Sequence, residues 1–190
     1  NRPLLCGTHS APEKMAELHI IGQIVGASGF DDCPNVFCKW TIEHGTNWER
    51  MEGLLQGQTQ VDYPSDGELA VWQHPIDVHF STKAAHGWPK LVIEVWHMDT
   101  YGRADLSGYG TCAVPTAPGM HSVTIATWRP VGTLRQQFGA FFLGGYPQLK
   151  HKQLIGDPND RYRLTTEAAG EVEVQFGIVV KDFEKFGVAM

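Results

Sequence analysis

The residues whose types and spacing come nearest to chemistry lie between Val95 and Gly110, in the stretch VWHMDTYGRADLSGYG. An apolar run from Leu91 to Met98 leads there into a loop carrying Asp99 and Asp105. Converging carboxylates are what a calcium ion needs, since it takes about six to eight oxygen ligands. Asp31 and Asp32, in the turn region after the first predicted strand, could add two more. Against a metal, His97 stands where the first loop carboxylate would be, and imidazole is a poor ligand for a hard cation. The same residues also support a structural reading, in which Asp99 and Asp105 close turns by accepting local backbone N–H groups.

Nothing else in the chain has the pattern of a reaction centre. Nine histidines are scattered along it, and His79 and His97 fall in predicted strands. There is no Gly-x-Ser-x-Gly elbow, no His-Glu-x-x-His, no phosphate-binding loop and no Gly-x-Gly-x-x-Gly after a strand. The expectation is a protein that is not an enzyme and uses no cofactor. A binding module would instead present aromatic side chains. Trp48, Trp72 and Trp88 sit among loop-forming residues and are the candidates for exposed partner-interface anchors. The competing reading places them in the core.

Charge narrows the partners. The formal net charge is -6. Nucleic acid calls for a basic stripe, and an anionic membrane for clustered Lys and Arg. The segments QTQVDY and PIDVHF, where a lipid-binding strand surface would need lysines, contain no Lys or Arg. Cys6, Cys33, Cys38 and Cys112 form neither a Cys-x-x-Cys pair nor a zinc-ligand spacing, and read as reduced thiols of a cytoplasmic protein. No apolar run approaches the ~20 residues that span a bilayer.

The elements that must position these residues alternate with period two. Strands are predicted around His19–Val25, Asn35–Ile42, Gln58–Asp62, Pro75–Ser81, Leu91–Met98, Tyr109–Pro115 and His121–Ala126. A final pair, Arg161–Thr165 and Val172–Lys181, flanks a turn at 167–170, with Gly177 read as a bulge. Val131, Leu134, Phe138, Phe141 and Phe142 have helical spacing, and Gly144-Gly145 supplies a stop. Residues 144–160 read as the loosest loop. The fold expected is all-β, an antiparallel β-sandwich of about eight strands with one inserted α-helix. Residues 1–14 show no periodicity and read as a leader or appended segment, leaving 15–190 as a single domain.

Two resemblances follow from these residues. The loop resembles the calcium-binding loop of C2 domains, with Asp99, Gly102, Asp105 and Gly108 in register and His97 in the first acidic place. More widely, MAELHIIGQIVGASGF, NVFCKWTI, GQTQVDYP, WQHPIDVHFSTKAAHGWPKLVIEVWHMDTYGRADLSGYG, TWRPVG and FGIVVKDFEKFGV resemble the B9-domain family, over nearly all of Met15 to Met190. That resemblance implies a C2-like sandwich without enzymatic activity, resident at the ciliary basal body and transition zone. It implies assembly with B9 domain-containing protein 1 and Meckel syndrome type 1 protein, in a complex that supports ciliogenesis and gates the ciliary membrane. DDCP at 31–34 departs from the family pattern and leaves metal binding more open than the resemblance suggests. The alternative is a C2-type calcium- or phospholipid-binding domain acting at a membrane surface.

Overall fold

Alternating apolar residues put every second side chain on one face of a strand, and the fold follows from stacking such faces. The computed structural model describes residues 15–30, 35–64, 69–131, 149, 155 and 165–186. Among these are nine strands: β1 (Ala16–Ser28), β2 (Val36–Glu43), β3 (Trp48–Gly53), β4 (Gln56–Gln58), β5 (Ala70–Thr82), β6 (Lys90–Met98), β7 (Ala104–Ala113), β8 (Gly119–Pro130) and β9 (Thr166–Lys181). A short 3-10 turn, Phe183–Phe186, follows the last. All pairings are antiparallel, in the order β3-β5-β1-β9-β8-β7-β6-β2-β4.

This ribbon is curled. β7 and β8 meet through a single pair, Tyr109 opposite Trp128, so the ribbon bends there into a five-stranded and a four-stranded layer. On the far side, β3 and β4 close the two ends of the ribbon although only Leu54 and Leu55 separate them in sequence. Between the layers, Leu18, Ile20 and Ile24 of β1, Val78 and Phe80 of β5, and Val174 and Phe176 of β9 pack with Val36, Cys38 and Trp40 of β2 and with Leu91, Ile93 and Val95 of β6. Each large apolar side chain buried this way contributes about 1.5–3 kcal/mol. Burial also pushes the Cys38 thiol far up and the Cys112 thiol up to about 12. Both therefore remain protonated and poorly nucleophilic at neutral pH. Both are free cysteines; Cys6 and Cys33 lie outside the described residues.

β6 is buried on both faces from Leu91 to Val95, with apolar side chains at every position there except Glu94. Its outer face carries Val92 into a second cluster with Leu106, Tyr109, Trp128 and Ile155, and Trp96 and Leu149 pack against it. The Leu149 N–H donates to the Tyr109 hydroxyl at 3.2 Å. The stretch expected to be loosest, 144–160, thus contributes both of its described residues to a packed surface.

Several expectations are corrected. Among the described residues the strands number nine: β3 and β4 form over 48–58 where a loop was expected, the strand expected over Gln58–Asp62 does not continue past Gln58, and the one expected over Arg161–Thr165 lies, before Thr165, outside the described residues. The helix expected over Val131–Phe142 lies, beyond Val131, outside the described residues, as do residues 1–14. Residues 167–170 are no turn: β9 runs through them, paired with β8. Gly170 is glycine because a Cβ there would press on the Ser28 carbonyl and the Phe30 ring. Its carbonyl accepts from Thr127 Oγ1 at 2.6 Å and its N–H donates back at 2.9 Å. Gly177 pairs regularly, and the irregularities fall between Ile24 and Gly26 and between Ala126 and Trp128. Pro75 sits within β5 on the stretch that β3 does not reach, so its missing N–H faces the sheet edge.

Both ends of the ribbon are blunted. β4 is only 3 residues long. β3 breaks register between Arg50 and Glu52, leaving Met51 outside the ladder, and its Glu49, Arg50 and Glu52 are exposed.

Candidate interaction face

The acidic loop between β6 and β7 is closed on itself. Asp99 Oδ1 accepts the N–H groups of Tyr101 and Arg103, both at 2.8 Å, and Oδ2 accepts Arg103 Nε at 2.7 Å. The Asp99 N–H donates to the Arg103 carbonyl at 2.9 Å, completing the turn. The Arg103 N–H, together with its guanidinium and the Tyr101 N–H, holds the Asp99 carboxyl below its ordinary value. Both carboxylate oxygens are engaged by the loop they sit in, which is the turn-closing role. His97 is the cross-strand partner of Asp105, so these two are brought together, but Asp99 turns away to Arg103. Among the described residues no three His, Cys, Asp or Glu side chains gather as metal ligands. Asp31 and Asp32 lie outside the described residues.

A depressed carboxyl stabilises the loop fully above its unfolded value and ceases to do so as pH falls through the lower, folded one. In an NMR pH titration the Asp99 side-chain carbonyl should show a midpoint below that of an ordinary aspartate. The Tyr101 and Arg103 amides should exchange faster over the same pH range. A midpoint at or above the ordinary aspartate value would contradict the geometry.

The three tryptophans divide differently from the expectation. Trp48 and Trp72 are each only 3 % exposed, so their expected exposure is corrected. The Trp48 ring lies edge-on to Trp88 at 5.1 Å and to Phe80 at 6.1 Å, and its N–H donates to the His86 carbonyl at 3.1 Å. Phe183 of the last turn closes over Trp48 and Trp88. Trp72 donates to the Val36 carbonyl at 3.2 Å and helps join the layers at another point. Trp88 is half-buried, and its N–H donates to the Val114 carbonyl at 2.8 Å. Loop-like neighbours misled the reading because each indole reaches across to a carbonyl that local sequence does not reveal.

Three of the exposed large apolar side chains gather on the outer face of the five-stranded layer. Ile21 of β1 and Met120 of β8 stand on either side of Gly177 of β9, in one row across three strands. Val179, next along β9, and Pro75 of β5 extend it. Ile21 is 48 %, Val179 55 % and Met120 77 % exposed, and no described residue covers them. They line an open groove of ≈ 410 Å³, to which Gly22 and Gly177 contribute main chain. Around it the face is polar. Gln23 donates to Gln175 at 3.0 Å. Toward one end, His19 is bonded to Asp77 at 2.7 Å and stacked on His79 at 5.2 Å, and Glu17 bonds Lys181 at 3.0 Å. Toward the other end are exposed Glu171, and Glu173, which accepts from Ser122 at 3.0 Å.

Sequence reading missed this row, although a signal exists. Alternation fails at Ile20-Ile21 and at Ile178-Val179-Val180, where successive apolar residues on a strand cannot all point inward.

Comparison with known proteins bears on the same residues. Residues 18–179 match the family model described as B9-C2, ciliary basal body-associated B9 protein. B9 domain-containing protein 2 of Homo sapiens is 49% identical over 174 residues, covering 92% of this chain and 99% of that protein. B9 domain-containing protein 1 of Xenopus laevis is 31% identical over 173 residues, covering 90% and 87%. Among solved structures, a C2 domain of a plant extended synaptotagmin 1 matches with a TM-score of 0.44 and 12% identity, covering 88% of this chain and 96% of that one.

Proposed function

The chain belongs to the B9-C2 family of ciliary basal body-associated proteins, and from that premise we propose that it is a non-enzymatic docking module at the base of the cilium. It acts in the cytoplasm at the basal body and transition zone. There it joins B9 domain-containing protein 1 and Meckel syndrome type 1 protein in a complex that supports ciliogenesis and the ciliary membrane gate. Residues 15–190 serve as one domain in this role.

The observation that carries the reading is the row Ile21, Val179 and Met120, left open to water in the middle of a face whose surrounding polar groups are largely bonded to one another. Exposed apolar rows of this kind, rimmed by polar groups, mark surfaces that meet protein or membrane. Two features favour protein over a calcium-dependent membrane mode. The Asp99 oxygens are already engaged within their own loop, and the face carries more carboxylates than cations.

Co-expression with the two proposed partners, followed by size-exclusion chromatography with mass detection, tests the reading. One species containing all three chains is expected, with a higher melting temperature than this chain has alone. Elution of this chain by itself, together with turnover of any substrate or calcium-dependent pelleting with vesicles, would remove it.

A further inference from the structure

The charges around the apolar row say what kind of surface can lie on it. Where β5, β1, β9 and β8 run side by side, the outward positions carry the carboxylates of Asp77, Glu17, Glu173 and Glu171, against the ammonium of Lys181. Lys181 is bonded to Glu17 and Asp77 to His19, so the surplus of negative charge collects at Glu171 and Glu173. These two line a separate hollow of ≈ 190 Å³ with Val25, Ser28, Val71 and Thr124. Glu173 is four positions from Gly177 along β9, or about 13 Å at strand rise.

We propose that this face docks a protein surface of one definite chemistry: an apolar side chain entering the groove between Ile21, Val179 and Met120, with Lys or Arg groups about 13 to 20 Å away over Glu173 and Glu171. A second copy of the chain is disfavoured, because two such faces would bring acidic rims together. An anionic membrane is disfavoured for the same reason. A basic rim is complementary, and charge complementarity sets both partner choice and encounter rate. The choice of probe rests on the docking reading above, which supplies the related B9 domain protein as the partner to titrate.

The test is a binding titration of the full chain against B9 domain-containing protein 1, at low and physiological salt. Met120→Glu places a carboxylate in the groove at a solvent-exposed position and is expected to weaken binding about tenfold or more. Glu171→Lys with Glu173→Lys is expected to weaken it about tenfold and to flatten its salt dependence. Leu54→Glu, at an exposed apolar residue between β3 and β4, is expected to change nothing. Melting temperatures should stay within a degree or two of the parent for all three. Binding that survives both face variants, or tightens when Glu171 and Glu173 become lysines, overturns the face while leaving the docking reading intact. Absence of any binding by the parent chain overturns both. Pelleting with phosphatidylserine vesicles that Met120→Glu abolishes would assign the face to lipid and overturn the proposal.

Discussion

Trp48→Ala is expected to cost about 3–5 kcal/mol, because it removes a large buried ring and leaves a cavity that its rigid neighbours cannot fill. The ring is 3 % exposed and contacts Trp88, Phe80 and Phe183. Its loss would also orphan the His86 carbonyl that accepts its N–H. For a chain of this length, about 2–4 °C is lost per kcal/mol, so the melting temperature should fall by roughly 6–20 °C. Trp48→Phe should recover part of the loss by refilling the space without the hydrogen bond. Partner binding should fail only as the fold fails. A Trp48→Ala protein with unchanged melting and abolished binding would restore the exposed-anchor role and refute the packing described for this end of the sandwich.

Gly22→Ala should be nearly as damaging, for a different reason. Gly22 lies in β1, a strand paired on both sides, opposite Phe176 of β9. A Cβ at this position would press into the Gln175 carbonyl oxygen and lie 3.3 Å from the Phe176 Cα. Both are main-chain atoms in the middle of a sheet, so no side-chain rotation relieves the clash. The β1–β9 ladder must open locally, at a cost of about 3 kcal/mol. Chemical denaturation should show a correspondingly lower midpoint. Gly177→Ala, on the neighbouring strand beside Ile21, meets the Met120 Sδ at 3.0 Å and the Ile21 carbonyl at 3.1 Å. The flexible thioether can yield, so a smaller loss is expected. Equal losses at the two positions would refute the main-chain argument.

How far the sequence could be read depended on the range of the interaction involved. Strands covered on both faces, such as LVIEVWHM, carry their burial in their own near-continuous apolar run, and β6 stands where that pattern puts it. Asp99 was legible for the same reason, since its hydrogen-bond partners lie within four residues. Gly170 was misread because its cause is remote in sequence: Ser28 and Phe30 approach it from the other end of the chain. The charged segment WERMEG has little strand pattern and becomes β3 through pairing with β5. Trp48 and Trp72 were misplaced because composition near an indole says nothing about the carbonyl it will find. The open row on β1, β8 and β9 needed the register of three strands before Ile21, Gly177 and Met120 could be seen side by side.

The blunted ends of the ribbon bear on how such chains behave when many are gathered in a small volume. Fibre growth by main-chain zippering requires a long, flat, uncharged border that a neighbour can extend. One border here has a skipped residue and carries Glu49, Arg50 and Glu52, and the other ends after 3 residues. Among the described residues, the borders therefore offer crowded copies only short, interrupted templates, the stretch of β5 that β3 leaves uncovered being broken by Pro75. Contacts must form through side chains, and these saturate once a set of complementary surfaces has been used.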